Sequence, residues 1–364
     1  MKKVTKTVCY VLCYKHTDYT RTNALIHGLK KIPDCNVVVL KNKKRGIARY
    51  VEVPIKLLYY RLKYRPDTLV VGFRSHEIFW ALYPSMIGKR IIFDEFINSH
   101  DWLLNEHKKS FSKPPVMFIL DTYMKLVIAL SVKVLTDTKE HAALMTEVYG
   151  VKESKVQVIP ISADEDLYHP EIKKTKRDKN FNVIFYGSML PLHGVWYVLD
   201  ALVYLKKANK ISGISLTFAG GKGKTEFIKK LNDFVQKNQL QDNFTHIPWV
   251  ESDKLPEFIA GFDIALGGPF GNTGQGNRVI TGKTYQLLAM GMPVIAGKIP
   301  TMKGFVDKKN CILVEQGSSK QIADAILWAQ QNNTKLSAIG INGAKLYKKY
   351  YSSETVSQLL AEIV

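Results

Sequence analysis

The sequence is poor in the groups that build metal centres and disulfide frameworks. Its 364 residues hold four cysteines, Cys9, Cys13, Cys35 and Cys311, with no Cys-x-x-Cys pair and no neighbouring histidine pattern. They read as buried thiols in a reducing compartment, not as a zinc site or cross-links. There is no His-Glu-x-x-His helix, no nucleophile elbow and no catalytic-triad signature. Long uncharged apolar runs are also missing: the longest, Val116 to Leu135, carries Asp121, Lys125 and Lys133, so it is not expected to span a bilayer. The shorter run Val8 to Tyr14 is closed by Lys15 and His16, lacks a following small-residue cleavage site, and reads as a first strand rather than a signal peptide. A cytoplasmic protein is expected.

Acidic residues are scarce. There are 32 against 52 lysines and arginines, a formal net charge of +20. The excess leans towards the first half, where residues 1–160 carry 27 basic and 14 acidic side chains. Lys41 to Arg65 is the densest block, with nine Lys or Arg against the single Glu52 and with Tyr50, Tyr59, Tyr60 and Tyr64 interleaved. Such a surface attracts anionic lipid, phosphate or nucleic acid alike. The block also reads as a solvated helix whose apolar side packs on a sheet, since Ile55, Leu58, Tyr59 and Leu62 fall at helical spacing.

Apolar β-branched runs alternate with helical patterns from end to end, the signature of parallel α/β layers. Six strands are predicted in each half: Val8–Cys13, Val37–Leu40, Thr68–Gly72, Arg90–Asp94, Lys133–Thr136 and Val156–Ile161, then Asn182–Gly187, Ser215–Gly220, Phe244–Pro248, Asp263–Leu266, Pro293–Ala296 and Cys311–Val314. Helices are predicted over Thr22–Lys31, Ser75–Ile87 and Lys139–Tyr149, the last closed by Gly150, and a helical run ends the chain. Asp164 to Asn180, charged and aperiodic, reads as a linker. Two doubly wound halves would leave a cleft between two sets of strand ends, and open α/β sheets bind ligands outside the carboxyl ends of their strands.

Two phosphate- or metal-like motifs fail on inspection. Gly220-Gly221-Lys222-Gly223-Lys224-Thr225 ends like a P-loop, but the glycine required at position 218 is Phe218. Asp164-Glu165-Asp166 resembles a metal-holding carboxylate pair but sits in the linker. The informative stretch runs from Leu266 to Gly297. Its loop carries Gly267, Gly268, Gly271, Gly274, Gly276 and Gly282, then two cations, Arg278 and Lys283, at the entry to a helix over Thr284–Met290. Closely approaching backbone, helix N-terminal amides and two fixed cations suit a pyrophosphate; a purely structural glycine loop is the alternative. A second stretch, Phe185 to Val195, places Gly187, Ser188, His193 and Gly194 between a strand and a helix start, where the histidine meets a phosphate or serves the fold.

Together these stretches resemble the GT-B glycosyltransferases of family 4 (glycosyltransferase group 1), in a subgroup with PLHG and RVIxxKxYQ motifs. FYGSMLPLHGV resembles the family's diphosphate-gripping strand–loop–helix, with Ser188 where Arg is common and His193 where Lys is common. KTYQLLAMGMPVIAG resembles its Lys-x-x-Glu segment, with Gln286 in place of the ribose-binding glutamate and Arg278 at the other acidic position. Ala163 to Pro170 resembles the family's inter-domain segment, against a metal role for Asp164 and Asp166. The resemblance implies two Rossmann-like doubly wound domains facing a cleft: 1–165 on the acceptor side, 178–345 binding a nucleotide sugar, and 346–364 as a C-terminal helix packing back on the first.

The resemblance further implies a metal-independent, hexosyl-type, retaining transferase that needs no cofactor. It would move a sugar from a UDP- or GDP-sugar to a saccharide or lipid-linked acceptor in surface polysaccharide or glycolipid synthesis. Donor binding falls to Gly187, Ser188, His193, Gly194, Gly271, Asn272, Thr273, Arg278, Lys283 and Gln286. In FDEFINSHDW, the resemblance carries a catalytic role to His100, with Asp101 second and Asp94 beside them; Arg21 faces phosphate or acceptor. An anionic membrane surface at the inner face is the further partner expected, and nucleic acid is not. A nucleotide-sugar 2-epimerase and a non-enzymatic basic protein binding nucleic acid or a membrane surface are the alternatives.

Overall fold

The computed structural model describes residues 6–105, 113–172 and 180–364. The chain forms two compact units. One comprises residues 1–162 with 353–364, the other residues 163–352. The change of unit thus falls at Ser162 and Ser352, and the described part of the expected linker belongs to the second unit; residues 173–179 of that linker lie outside the described residues.

In the first unit the strands are β1 (Lys6–Leu12), β2 (Cys35–Lys41), β3 (Thr68–Val71), β4 (Arg90–Asp94), β5 (Lys133–Thr136) and β6 (Val156–Val158). Its helices are α1 (Thr20–Lys30), α2 (Ala48–Tyr64), α3 (Phe79–Leu82), α4 (Ser99–Asn105), α5 (Pro114–Ala129) and α6 (Lys139–Tyr149). The sheet is wholly parallel, in the order β2-β1-β3-β4-β5-β6. Strands covered on both faces read as continuous apolar runs, and β3, Thr-Leu-Val-Val, is buried at every position. Thr138 caps α6 by accepting the His141 amide, and Gly150 ends it at φ 68°. The single helix expected over Ser75–Ile87 is instead two 3-10 turns around the one-turn α3. Pro84 supplies no amide for a continuing helix.

The second unit holds β7 (Phe181–Tyr186), α7 (Val195–Lys207), β8 (Ile214–Ala219), α8 (Thr225–Lys237), β9 (Phe244–Ile247), α9 (Leu255–Ala260), β10 (Ile264–Leu266), α10 (Gly282–Ala289), β11 (Val294–Gly297), β12 (Ile312–Val314), α11 (Ser319–Gln331) and α12 (Asn333–Tyr350). Its parallel sheet has the order β12-β11-β10-β7-β8-β9. The order reverses at β7, which lies between β8 and β10. Phe185, Phe218, Leu202, Leu266 and Ile326 share one buried core there.

The last helix, α13 (Ser353–Ala361), packs on α1. A methyl on Gly28 would come within 2.6 Å of Val356 Cγ1, so the glycine lets the helix seat closely. Val356 and Leu360 are fully buried with Val8, Leu25 and Leu29, each side chain stabilising by about 1.5–3 kcal/mol. Lys6 Nζ donates to the Val364 carbonyl at 2.7 Å, and Arg90 donates to that of Ile363 at 3.2 Å.

One expected packing is overturned. The inward face of α2 consists of Val53 and Leu57, while Ile55, Leu58, Tyr59 and Leu62 are exposed. A stripe at helical spacing states only that a face exists; the sheet lies on the other side. Among the described residues, no helix is long and apolar enough to cross a membrane.

Candidate functional site

In the second unit the loops that follow β7 and β10 leave neighbouring strands at the point where strand order reverses, the place where open α/β sheets take their ligands. The loop after β7 begins at Gly187, with φ 125°, a value that favours glycine. A methyl there would lie 3.5 Å from Lys283 Nζ and 3.9 Å from His193 Cε1, so the turn, the amine and the imidazole converge on one spot. The turn is seated from below by Gly220, whose own Cβ would meet the Gly187 carbonyl oxygen at 2.2 Å.

Lys283 enters from the first turn of α10. It is 7% exposed and makes no ion pair with any described residue; the Phe185 ring lies 5.8 Å below its amine. Burial pulls its pKa down to about 7. An ammonium without a counter-ion in a dry site is poised for an anion. The N-terminus of α10 is tied to the glycine loop: the Thr281 hydroxyl donates to the Gly267 carbonyl at 2.6 Å and accepts the Thr284 amide, while the Thr284 hydroxyl donates to Gly268 at 3.3 Å.

His193 closes the other side. Its Nδ1 is bonded to the Ser188 carbonyl. A carbonyl only accepts, so Nδ1 carries the proton and Nε2 is left for another partner. Burial, and then the Lys283 ammonium, push the imidazole down to about 3, so it is neutral. Gly194, at φ 67°, precedes α7, whose first turn has no side-chain cap. The two loops touch backbone to backbone here: the Gly271 amide donates to the Leu192 carbonyl at 3.0 Å, and a methyl on Gly194 would strike the Gly271 nitrogen at 2.5 Å.

The remaining predicted donor residues spread along the same loop. Asn272 is exposed beside Gly317, and the Thr273 hydroxyl accepts the Gly276 amide at 2.9 Å. Arg278 ends the short turn Gly276–Arg278 and is half-buried. Gln286, one turn beyond Lys283, accepts from the Tyr186 hydroxyl at 3.0 Å, which leaves its amide NH2 for a ligand. Sequence reasoning missed two of these partners. Tyr186 stood in the quoted motif as an apolar strand residue. Gln316 lies beyond the motif, yet its amide donates to the Gly276 and Lys298 carbonyls.

In the first unit the predicted residues separate. Arg21 and Asp94 do not face a ligand. Both side chains are fully buried, with Arg21 Nη2 2.8 Å from Asp94 Oδ1, and Arg21 also donates to the Ile159 carbonyl. The reading of Arg21 as an acceptor-facing cation, and of Asp94 as catalytic, gives way to an internal ion pair that ties α1 to the ends of β4 and β6. His100 is half-buried, its Nδ1 2.9 Å from both oxygens of Asp121, which orients the ring and frees Nε2. Asp121 had stood out in the sequence only as a charge interrupting an apolar run. Asp101 is buried, its amide held by the Asn98 side chain. Beside them Glu95 is 1% exposed with no partner for Oε1; burial, reinforced by Asp94, raises its pKa to about 8. A cavity of about 340 Å³ opens next to α4, lined by His76, Glu77, Ser99, Leu120 and Tyr123 among others. Rings of Tyr14, Tyr19, Phe73 and Phe96 cluster on the loops after β1, β3 and β4. Among the described residues no three His, Cys, Asp or Glu side chains gather as metal ligands would.

The family model described as glycosyl transferases group 1 matches residues 180–332, the second unit's sheet and site loops. Among solved structures, Anabaena HepE in complex with UDP is 14% identical over 98% of each chain, with a TM-score of 0.72. Sucrose-phosphate synthase from Thermosynechococcus elongatus is 13% identical over 98% of each chain, at 0.73. WaaG, a glycosyltransferase involved in lipopolysaccharide biosynthesis, is 12% identical over 98% of this chain and 99% of its own, at 0.67. No curated protein matches the sequence. The two parallel six-stranded units have the fold of these GT-B structures.

Proposed function

We propose that the chain is a glycosyltransferase of the group 1 kind, taking a sugar from a nucleotide-diphosphate donor held by its second unit. The observation that carries this reading is Lys283: a buried amine with no ion pair among the described residues, aimed at a left-handed glycine turn beside a neutral histidine. A diphosphate seated at Gly187 would supply the missing counter-ion. The α7 amides, Lys283 and Arg278 would then stabilise the charge that builds on the leaving group as the bond from anomeric carbon to phosphate oxygen breaks. Gln286, which accepts from the Tyr186 hydroxyl one helical turn beyond Lys283, would hydrogen-bond the ribose hydroxyls.

UDP is the proposed nucleotide, on the analogy of HepE, whose structures include complexes with UDP and with UDP-glucose. The transferred sugar joins an acceptor hydroxyl with retention at the anomeric carbon, the acceptor being a saccharide or lipid-linked saccharide of a surface polysaccharide or glycolipid. No side chain is assigned as a covalent nucleophile. His100, oriented by Asp121, is the catalytic group proposed for the first unit, and the reaction is taken to need no metal. The cytoplasm is the proposed location.

Thermal unfolding with UDP, GDP, ADP and their sugars, with EDTA throughout, tests the reading. Binding to the folded state raises Tm by mass action. A rise with UDP or UDP-sugars in EDTA supports both donor class and metal independence. No rise with any nucleotide, in folded protein, defeats the proposal.

A further inference from the structure

The exposed face of α2 is unlike an ordinary solvated helix. Val51, Ile55, Leu58 and Leu62 recur at steps of four, three and four, which stacks them in one stripe, and Tyr59 borders it. All five are exposed, Ile55 at 65% and Leu62 at 67%. The helix needs none of them for its own packing, since Val53 and Leu57 already anchor it. An apolar stripe this continuous, left open to water, marks an interaction surface.

Cations flank the stripe at both ends of the helix. Lys43, Lys44 and Arg45 stand exposed just before the helix, with Lys63 and Arg65 exposed at its end. Lys63 lies over the rings of Tyr59 and Tyr64, 5.4 and 5.2 Å from their centroids. The block's one acid, Glu52, is held within the fold: it accepts the Lys43 and Lys44 amides and pairs with Lys56. The side chain therefore offers little negative charge outward.

The spacing of the stripe would also suit a helix–helix seam with a second copy. Charge decides between the two. Two copies would bring like-charged rims together, whereas an anionic surface complements the rim, and a bilayer interface accepts apolar side chains, tyrosines and snorkelling lysines together. We infer that α2 is an in-plane anchor that docks the first unit on an anionic lipid bilayer, with Ile55, Leu58 and Leu62 inserted and the cations at the headgroups. The inference stands apart from the donor reading, since it uses no residue of the second unit.

Flotation with phosphatidylcholine vesicles carrying about a quarter phosphatidylglycerol tests it. The protein is expected to float with these vesicles at least about tenfold better than with phosphatidylcholine alone, and to be released as salt rises to about 0.5 M. Ile55→Ser/Leu58→Ser/Leu62→Ser should lower binding by about tenfold or more, while Lys43→Glu/Lys44→Glu/Arg45→Glu should erase the preference for anionic lipid. These residues are exposed, and circular dichroism confirms that each variant is folded. Failure to float, equal binding to both vesicles, or unchanged binding by the serine variant overturns the inference. So does a wild-type dimer in sedimentation that the serine variant dissolves, which would assign the stripe to a second copy. UDP-induced stabilisation, measured on the same variants, reports separately on the donor site.

Discussion

Arg21 and Asp94 meet in the interior of the first unit, 2.8 Å apart and with neither side chain reaching solvent. Arg21 directs both Nε and Nη2 at one carboxylate oxygen and Nη1 at the Ile159 carbonyl. The pair brings together the start of α1 and the carboxyl ends of β4 and β6.

Breaking that pair should be costly. Asp94→Ala leaves a buried guanidinium without its counter-charge, and about 3–5 kcal/mol of stability is expected to be lost. Replacing both partners, Arg21→Met with Asp94→Leu, should cost clearly less, because no uncompensated charge remains. Urea unfolding of the wild type and the two variants provides the comparison; equal losses would mean that shape rather than charge matters at this position.

Lys283 should link nucleotide binding to protons. Its folded pKa, lowered by burial to about 7, lies below the ordinary lysine value near 10.4. Between these values the unfolded chain binds more protons, so this group makes stability rise with pH across that window. Below about pH 7 the cost of the buried charge is borne in full. A diphosphate favours the ammonium, so UDP binding should take up a proton and weaken as pH rises from 7 to 9. Calorimetry in buffers of different ionisation enthalpy would detect the uptake. Lys283→Met should lose the UDP response yet be more stable without ligand at neutral pH.

Two glycines with similar backbone but different surroundings separate strain from contact. Gly194 has φ 67°, and an added methyl would strike Phe270 and Gly271 backbone at 2.5 Å; Gly223 has φ 76° with nothing within 4 Å. Gly223→Ala is expected to cost only the left-handed penalty, about 1–2 kcal/mol. Gly194→Ala should cost more and also weaken UDP binding, since the two site loops can no longer touch. Thermal scans with and without UDP distinguish the outcomes.

Glu95 should leave a mark on the pH–stability curve. Burial first, and Asp94 second, raise its pKa from about 4.5 to about 8. From pH 4.5 to 8 the folded state holds the extra proton, so this group's contribution is full below 4.5 and is lost as pH climbs to 8. Glu95→Gln should remove that slope and be the more stable protein at pH 8 and above. Parallel curves for wild type and variant would mean that Glu95 is ionised in the fold.

The loops that form the candidate site of the second unit were largely legible in the sequence because their signals are local. Gly187, Gly194 and Gly271 are demanded by turns and close backbone contacts, and Lys283 follows the glycine loop at the entry to α10. The partner of Gln286, Tyr186, was not, since the two are a hundred residues apart and meet only across neighbouring elements. In the first unit His100 was marked, but the group that orients it, Asp121, sits on the following helix and looked like a mere interruption of apolar sequence.

Alternation of apolar runs and helical spacing therefore determined the twelve strands, their parallel class and the glycine loops at their ends, since these depend on neighbouring residues along the chain. The tertiary structure alone decided which faces meet. It turned Arg21 and Asp94 inward, and it left Ile55, Leu58 and Leu62 of α2 in solvent although their spacing suits a core. Burial is a property of what lies across space from a side chain, and the periodicity of one segment carries no record of it.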